Sequence, residues 1–241
     1  MKILALDSTA LTATVALCED TRLIGLYTLN SGSTQSETLL PMVESMMKLM
    51  GWQISDIDLF ACSRGPGSFT GVRIGAATIK GLAFGTGKPC IGVSTLEALA
   101  YTLHGLENGR DILLCPVMNA RRGQVYNALF RLSDGKITRL CEDRALSIIE
   151  LGQELASCSE PIYLNGDGYD ITRTNMQHPT LSDTPELLRY QNAYSVAMVA
   201  LSEYQNGVNT SDAELSPSYL RLPQAERERN ERLAREAASK S

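Results

Sequence analysis

A chain of 241 residues, 44% of them hydrophobic, is long enough for one large domain or two small ones and carries an ordinary share of core-forming side chains. Its net charge of −5 repels phosphate and excludes a broad nucleic-acid-gripping face, so contact with nucleic acid is expected to run through a more basic partner. No window approaches the roughly 18 apolar residues of a membrane span. The opening Met1-Lys2-Ile3-Leu4-Ala5-Leu6-Asp7 lacks a signal-peptide pattern, which places the chain in the cytoplasm as an expectation. The six cysteines include no CxxC pair and are expected to be free thiols.

In chain order, Lys2–Leu6, Ala13–Cys18 and Leu23–Leu29 read as three strands of an antiparallel, hairpin-rich start, with Glu19-Asp20 at a turn. A polar loop, Asn30–Ser36, leads into a helix on which Leu39, Leu40, Val43, Met46, Met47 and Met50 recur at helical spacing and which Gly51 stops. The methionines of this helix suit either core filling or an adaptable binding face. Ile57–Cys62 is a predicted strand, Arg64–Gly67 a tight loop, Thr70–Phe84 a helix rich in small residues, and Pro89–Val93 another strand. Ser94 and Glu97 match a capping box for a helix ending near Leu103.

The polar break 104–110 divides the chain. Beyond it, Ile112–Met118 and Gln124–Arg131 form a predicted strand and its hairpin partner. Ile148–Ala156 is a helix, Pro161–Leu164 a strand, 165–168 a turn, and Ala193–Tyr204 an amphipathic helix. A strand followed by a hairpin opens both halves and hints at duplication. In the last stretch, Glu228 and Arg232, and Glu231 and Arg235, stand four residues apart, so a solvated single helix fits this charged tail.

Arg64-Gly65-Pro66-Gly67-Ser68-Phe69-Thr70-Gly71-Val72-Arg73-Ile74-Gly75 is the most informative segment: a strand end, a glycine–proline turn and a helix start. Ser68 or Thr70 can cap the helix. Gly71, Gly75, Thr78, Leu82 and Gly85 lie along one stripe. Glycine inside a helix costs about 1 kcal/mol against alanine, so the stripe implies close approach of another backbone, either in this fold or in a second chain. The segment lacks the Lys-Ser/Thr pair of a phosphate-binding P-loop and the Gly-x-Ser-x-Gly of a nucleophile elbow.

With this segment, the opening Lys2–Thr9, the Pro89–Glu97 stretch, Asn119–Tyr126, Ser36–Pro41, Gly166-Asp167-Gly168 and Pro217–Arg221, the sequence resembles the TsaB (YeaZ) family over residues 1–221. The resemblance implies an α/β, two-lobed actin-like ATPase (ribonuclease H-like) fold of mixed sheets with flanking helices. Residues 1–103 would be the first lobe with the partner-binding helices, 104–221 the second lobe, whose last helix and return segment can pack on the first, and 222–241 a charged tail. Families of this kind supply a non-catalytic subunit needed to form N6-threonylcarbamoyladenosine beside the anticodon of tRNAs reading ANN codons. The partners so implied are a TsaD-like catalytic subunit, a TsaE-like ATPase, tRNA through the complex, and a second copy in isolation. The implied pairing surface comprises Glu37, Leu40, Met47, Thr70, Gly71, Arg73, Ile74, Gly75, Thr78 and Leu82. Two positions depart from the family pattern: Gln35, where many members have histidine, and Asn119, where many have aspartate.

The residues themselves argue against a complete active site. The two histidines, His104 and His178, are not at metal-ligand spacing. An actin-like kinase holds phosphate on a glycine-containing turn between its first two strands, whereas here the turn is Asp7-Ser8-Thr9-Ala10-Leu11-Thr12. Asp7, Ser8, Thr9 and Arg64 remain candidates for weak, shared ATP or ADP binding in a complex, with no tightly bound cofactor and no metal expected; Arg73, Arg121 and Arg122 are further cationic candidates. The competing readings are a stand-alone kinase or ATPase of this fold, and a peptidase.

Overall fold

The computed structural model describes residues 1–32 and 34–221; the charged tail and its expected helix lie outside the described residues. Among these, the first sheet comprises β1 (Lys2–Asp7), β2 (Ala13–Glu19), β3 (Arg22–Leu29), β4 (Leu59–Ser63) and β5 (Cys90–Val93). The second comprises β6 (Ile112–Arg121), β7 (Gln124–Asn127), β8 (Phe130–Ser133), β9 (Lys136–Arg139), β10 (Arg144–Ser147), β11 (Ile162–Asn165) and β12 (Leu181–Ser182). Six α-helices accompany the described strands: α1 (Gln35–Met50), α2 (Phe69–Ala83), α3 (Thr95–Thr102), α4 (Ile148–Leu155), α5 (Tyr169–Asn175) and α6 (Ala193–Gln205).

The first sheet runs β3-β2-β1-β4-β5, antiparallel across its hairpins and parallel from β1 through β4 to β5. Its inner strands are covered on both faces, which explains why they read as continuous apolar runs. Strand alternation sends Leu4, Leu6, Val15, Leu17 and Phe60 into a core with α1 and α2. It sends Ile3, Ala5, Ala16, Leu59 and Ile91 to the other face, against α6. The chain thus returns after the second sheet to finish the first. Gly51 ends α1 at φ 65°, its N–H donating to the Lys48 carbonyl, as a left-handed C-terminal residue does.

The second sheet repeats the opening plan: β6 leads into β7 by a tight turn, and β11 and β12 lie parallel on its other side. The stretch expected as one hairpin strand, Gln124–Arg131, is two strands. Asn127 breaks it: its buried side chain donates to the Pro116 and Ala128 carbonyls, both at 3.0 Å. Thereafter β7 pairs one end of β6 and β8 the other. One face carries α4 and α5, with Leu151, Leu155 and Tyr169 in its core; the other carries α3, with Leu96, Leu99 and Leu103 packed near Phe130.

The expected capping box of α3 is half present. Ser94 Oγ accepts from the Glu97 N–H at 3.3 Å, but the Glu97 carboxylate pairs with Arg139 at 2.6 Å instead of reaching back. A charge-assisted pair outweighs a neutral backbone contact. All six cysteines are free.

Candidate functional site

The β1–β2 turn is sealed by its own chain. Asp7, 1% exposed, accepts at Oδ1 from the Thr9 N–H and the Thr9 hydroxyl, both at 2.8 Å. Its Oδ2 completes no hydrogen bond of good geometry. Burial raises the Asp7 pKa above the ordinary carboxylate value, with the Ser63 hydroxyl and the two Thr9 donors pulling the other way. Ser8 Oγ donates to the Gly71 carbonyl at 2.9 Å, and the Ser68 N–H donates to the Thr9 carbonyl at 2.7 Å.

The glycines explain this approach. A Cβ on Gly71 would stand 1.9 Å from the Ser8 carbonyl oxygen, one on Gly75 2.7 Å from Ser8 Oγ, and one on Gly67 2.5 Å from the Thr9 carbonyl oxygen. The close approach inferred from Gly71 and Gly75 is therefore to the chain's own first turn, and the assignment of these two to a partner surface is corrected. Arg64 also stands apart from Asp7, Ser8 and Thr9: its side chain lies against Gly92 and lines a separate depression with Glu203 and Glu214.

The equivalent turn of the second sheet is open. Asn119 Oδ1 accepts from the Arg121 N–H at 2.9 Å, the same contact, two residues on, that Asp7 makes with Thr9. Arg121, Arg122 and Gly123 all take positive φ, at 67°, 54° and 70°. This turn borders a cleft of about 300 Å³ between the two lobes. Residues 66–70 form one wall; Met118–Arg121, Tyr126 and Asp167 form the other; Ser218–Arg221 crosses it. Asp167 Oδ1 accepts from the Asn119 N–H at 3.0 Å. Although this carboxylate opens to the cleft, the surrounding protein raises its pKa, against the lowering effects of that N–H and of Arg121. The cleft therefore offers ring faces and guanidinium groups. Among the described residues, no group of three or more His, Cys, Asp or Glu is placed to hold a metal.

The outer surface of α1 and α2 sorts the remaining expected partner residues. Glu37 and Leu40 are exposed, Leu40 by 45%. Met47, with Met42 and Met46, is core, 6% exposed, so its assignment to a partner face is corrected. Ile74 and Leu82 are partly buried against the same core. Thr78 Oγ1 donates to the Ile74 carbonyl at 2.8 Å. Thr70 is exposed at the cleft. The Arg73 guanidinium lies 3.8 Å from the Phe69 ring centre and its Nε donates to the Tyr219 hydroxyl at 2.9 Å. Gly85 lies beyond the end of α2 and off the stripe, at φ 75°.

Sequence reasoning missed Gly81 and Phe84. Gly81 is exposed within α2, four residues after exposed Ala77, and among the described residues nothing lies within 4 Å of where its Cβ would stand. Phe84 is 80% exposed. A helical-wheel count from Gly81, rather than from Gly71, would have found this face.

The doubled strand–hairpin–strand plan, two lobes about a cleft, defines the actin-like (ribonuclease H-like) class. The family model of TsaD, tRNA N6-adenosine threonylcarbamoyltransferase, matches residues 31–229. The chain is 29% identical to the tRNA threonylcarbamoyladenosine biosynthesis protein TsaB of Bacillus subtilis over 94% of this chain and 96% of that one. It is 38% identical to the TsaB of Escherichia coli over 57% and 58% of the two. Among solved structures, YeaZ from Pseudomonas aeruginosa superposes with a TM-score of 0.75 at 26% identity, covering 91% of this chain and 99% of that chain. A second Pseudomonas aeruginosa structure, of an uncharacterized protein with similarity to peptidase YEAZ, gives 0.78 at 25% identity with the same coverage. The chain belongs to this tRNA N6-adenosine threonylcarbamoyltransferase family, in its TsaB (YeaZ) group.

Proposed function

We propose that this chain acts in tRNA threonylcarbamoyladenosine biosynthesis as a non-catalytic subunit. It binds a TsaD-like catalytic subunit through the outer face of α1 and α2, and a TsaE-like ATPase joins the pair. The carrying observation is the sealed β1–β2 turn. Its backbone is pressed against Gly67 and Gly71, and its Ser8 hydroxyl against Gly75, so the start of α2 and the loop before it fill the position where an actin-like kinase would cradle phosphate. The names of the relatives support the pathway, and the outer face supports the mode of action. Gly81 gives up about 1 kcal/mol of helix propensity while, among the described residues, a Cβ there would meet nothing within 4 Å, and close approach of another backbone accounts for that cost. On the same pair of helices Leu40 and Ala77 are exposed, as is Phe84 at the end of α2. With a net charge of −5, the chain meets tRNA through the complex, and any ATP or ADP it touches is shared at a junction with a partner.

The test is reconstitution. The chain, a TsaD-like subunit and both together are given threonylcarbamoyl-AMP, tRNA and a TsaE-like ATPase, and the modified nucleoside is quantified. Product is expected with both subunits and none with this chain as the sole subunit. Turnover by the chain without the catalytic subunit would overturn the reading.

A further inference from the structure

Among the described residues, α3 and the return segment 215–221 both join the lobes, and of the two only the return segment lines the cleft. Helix α3 is shared. Leu96, Leu99 and Leu103 are buried with Leu114 and Phe130 of the second sheet, while Thr102 Oγ1 lies 3.0 Å from Ser195 Oγ of α6. The N-terminal end of α3 is tied by the Glu97–Arg139 pair and by Ser94 Oγ donating to Asp143 Oδ2, both at 2.6 Å.

At the cleft, the return segment crosses from lobe to lobe. Its first part sits on the first lobe. Leu215 is 4% exposed, and Lys80 Nζ donates to its carbonyl at 3.0 Å. The Ser218 N–H donates to the Arg64 carbonyl at 2.7 Å. Gly65 stands at φ 116°, where a Cβ would lie 2.4 Å from the Ser218 carbonyl oxygen, so the segment seats on the turn that leads into α2. The Tyr219 ring lies 4.7 Å from Phe69, and its hydroxyl accepts from Arg73. Two residues on, Arg221 reaches the second lobe. It donates to the Ala120 carbonyl at 3.4 Å and to Gln124 Oε1, with its guanidinium 5.8 Å from the Tyr126 ring centre.

We propose that residues 215–221 are a clasp that holds the cleft closed, with α3 as the hinge and Arg221 as the catch. The hinge is an apolar core reinforced by ion pairs, and parting it exposes buried surface. The catch is a pair of partly buried hydrogen bonds and one distant ring contact. Opening at the catch therefore lies at the low-energy end of the molecule's local motions. An occupant large enough to part the cleft walls has to release Arg221. The shift then passes along Tyr219 and Ser218 to Arg73, in α2, and to Gly65, in the turn that leads into it.

Hydrogen–deuterium exchange on the full chain tests this, comparing wild type with Arg221→Gln and Tyr219→Phe. In Arg221→Gln, amides in 119–126 and 218–221 are expected to exchange about fivefold faster, the scale of one lost hydrogen bond, with α3 unchanged. Tyr219→Phe keeps the ring but loses the Arg73 bond, and speeds exchange in 218–221 without moving 119–126. Wild-type exchange at 119–126 in Arg221→Gln would overturn the clasp. So would equal acceleration in α3, or failure of that variant to fold, since either makes Arg221 part of the global core.

Discussion

The inner and outer faces of α2 carry the same residue type for opposite ends. Gly71 and Gly75 look inward and let Ser8 of the first turn approach to contact distance; Gly81 looks outward into open space. All three carry the same propensity cost in a helix. What a glycine does depends on what its missing Cβ would meet, and here one face closes over the β1–β2 turn while the other faces open space among the described residues.

The largest expected effect comes from breaking the inner face. Gly71→Val places a side chain where the Ser8 carbonyl already stands, and backbone has to move. A loss of about 3 kcal/mol or more is expected in chemical denaturation; a loss under about 1 kcal/mol would mean the turn is not sealed.

Asp7→Asn probes the turn that this face covers. Asp7 has a raised pKa in the folded state, so the folded chain holds its proton more tightly than the unfolded chain does. Stability contributed by this group is greatest below the ordinary carboxylate pKa and falls as pH rises through the raised folded value. The asparagine variant lacks that fall, and Asn119 already makes the same turn contact in the second lobe. Above that window the variant is expected to be about 1 kcal/mol more stable than wild type. Denaturation at several pH values measures this, and parallel curves for the two proteins would contradict it.

Gly75→Ala is milder, because the atom it meets first is the rotatable Ser8 Oγ at 2.7 Å, with Leu6 Cδ1 at 3.3 Å. Displacing that hydroxyl gives up its bond to the Gly71 carbonyl. A net loss of about 1 kcal/mol is expected in the same denaturation assay, after the gain in helix propensity. Gly81→Ala should do the reverse and stabilise the isolated chain by roughly 0.5–1 kcal/mol, seen as a raised melting temperature. Destabilisation there would reveal an intrachain contact on the outer face.

Much of the first sheet was legible because its strands are continuous apolar runs and its turns carry strong signals, Gly51 and Gly65-Pro66-Gly67 among them. Periodicity showed that Gly71 and Gly75 share a face of α2. It gave no direction for that face, since packing inside the chain and packing against a partner demand the same small residues. The methionines of α1 posed the same ambiguity, and Met42, Met46 and Met47 resolved to core. Short elements with little alternation, β9, β10, β12 and α5, left no readable pattern. The resemblance implied that the return segment can pack on the first lobe, but its particular partners were not legible because they stand far away in sequence: Arg73 is 146 residues from Tyr219, and Ala120 is 101 from Arg221. Likewise Arg139 captures Glu97 from 42 residues away, which no local capping rule registers.

The most direct test of the two-faced helix is binding of Gly81→Leu to the TsaD-like catalytic subunit, by titration calorimetry, beside thermal unfolding of the variant by itself. A side chain on the outer face should weaken association by at least about tenfold, a typical cost for a clash at an interface centre, while the melting temperature stays level or rises. Wild-type affinity in a variant that folds normally would contradict the account, and the outer face of α2 would then not be where the partner sits.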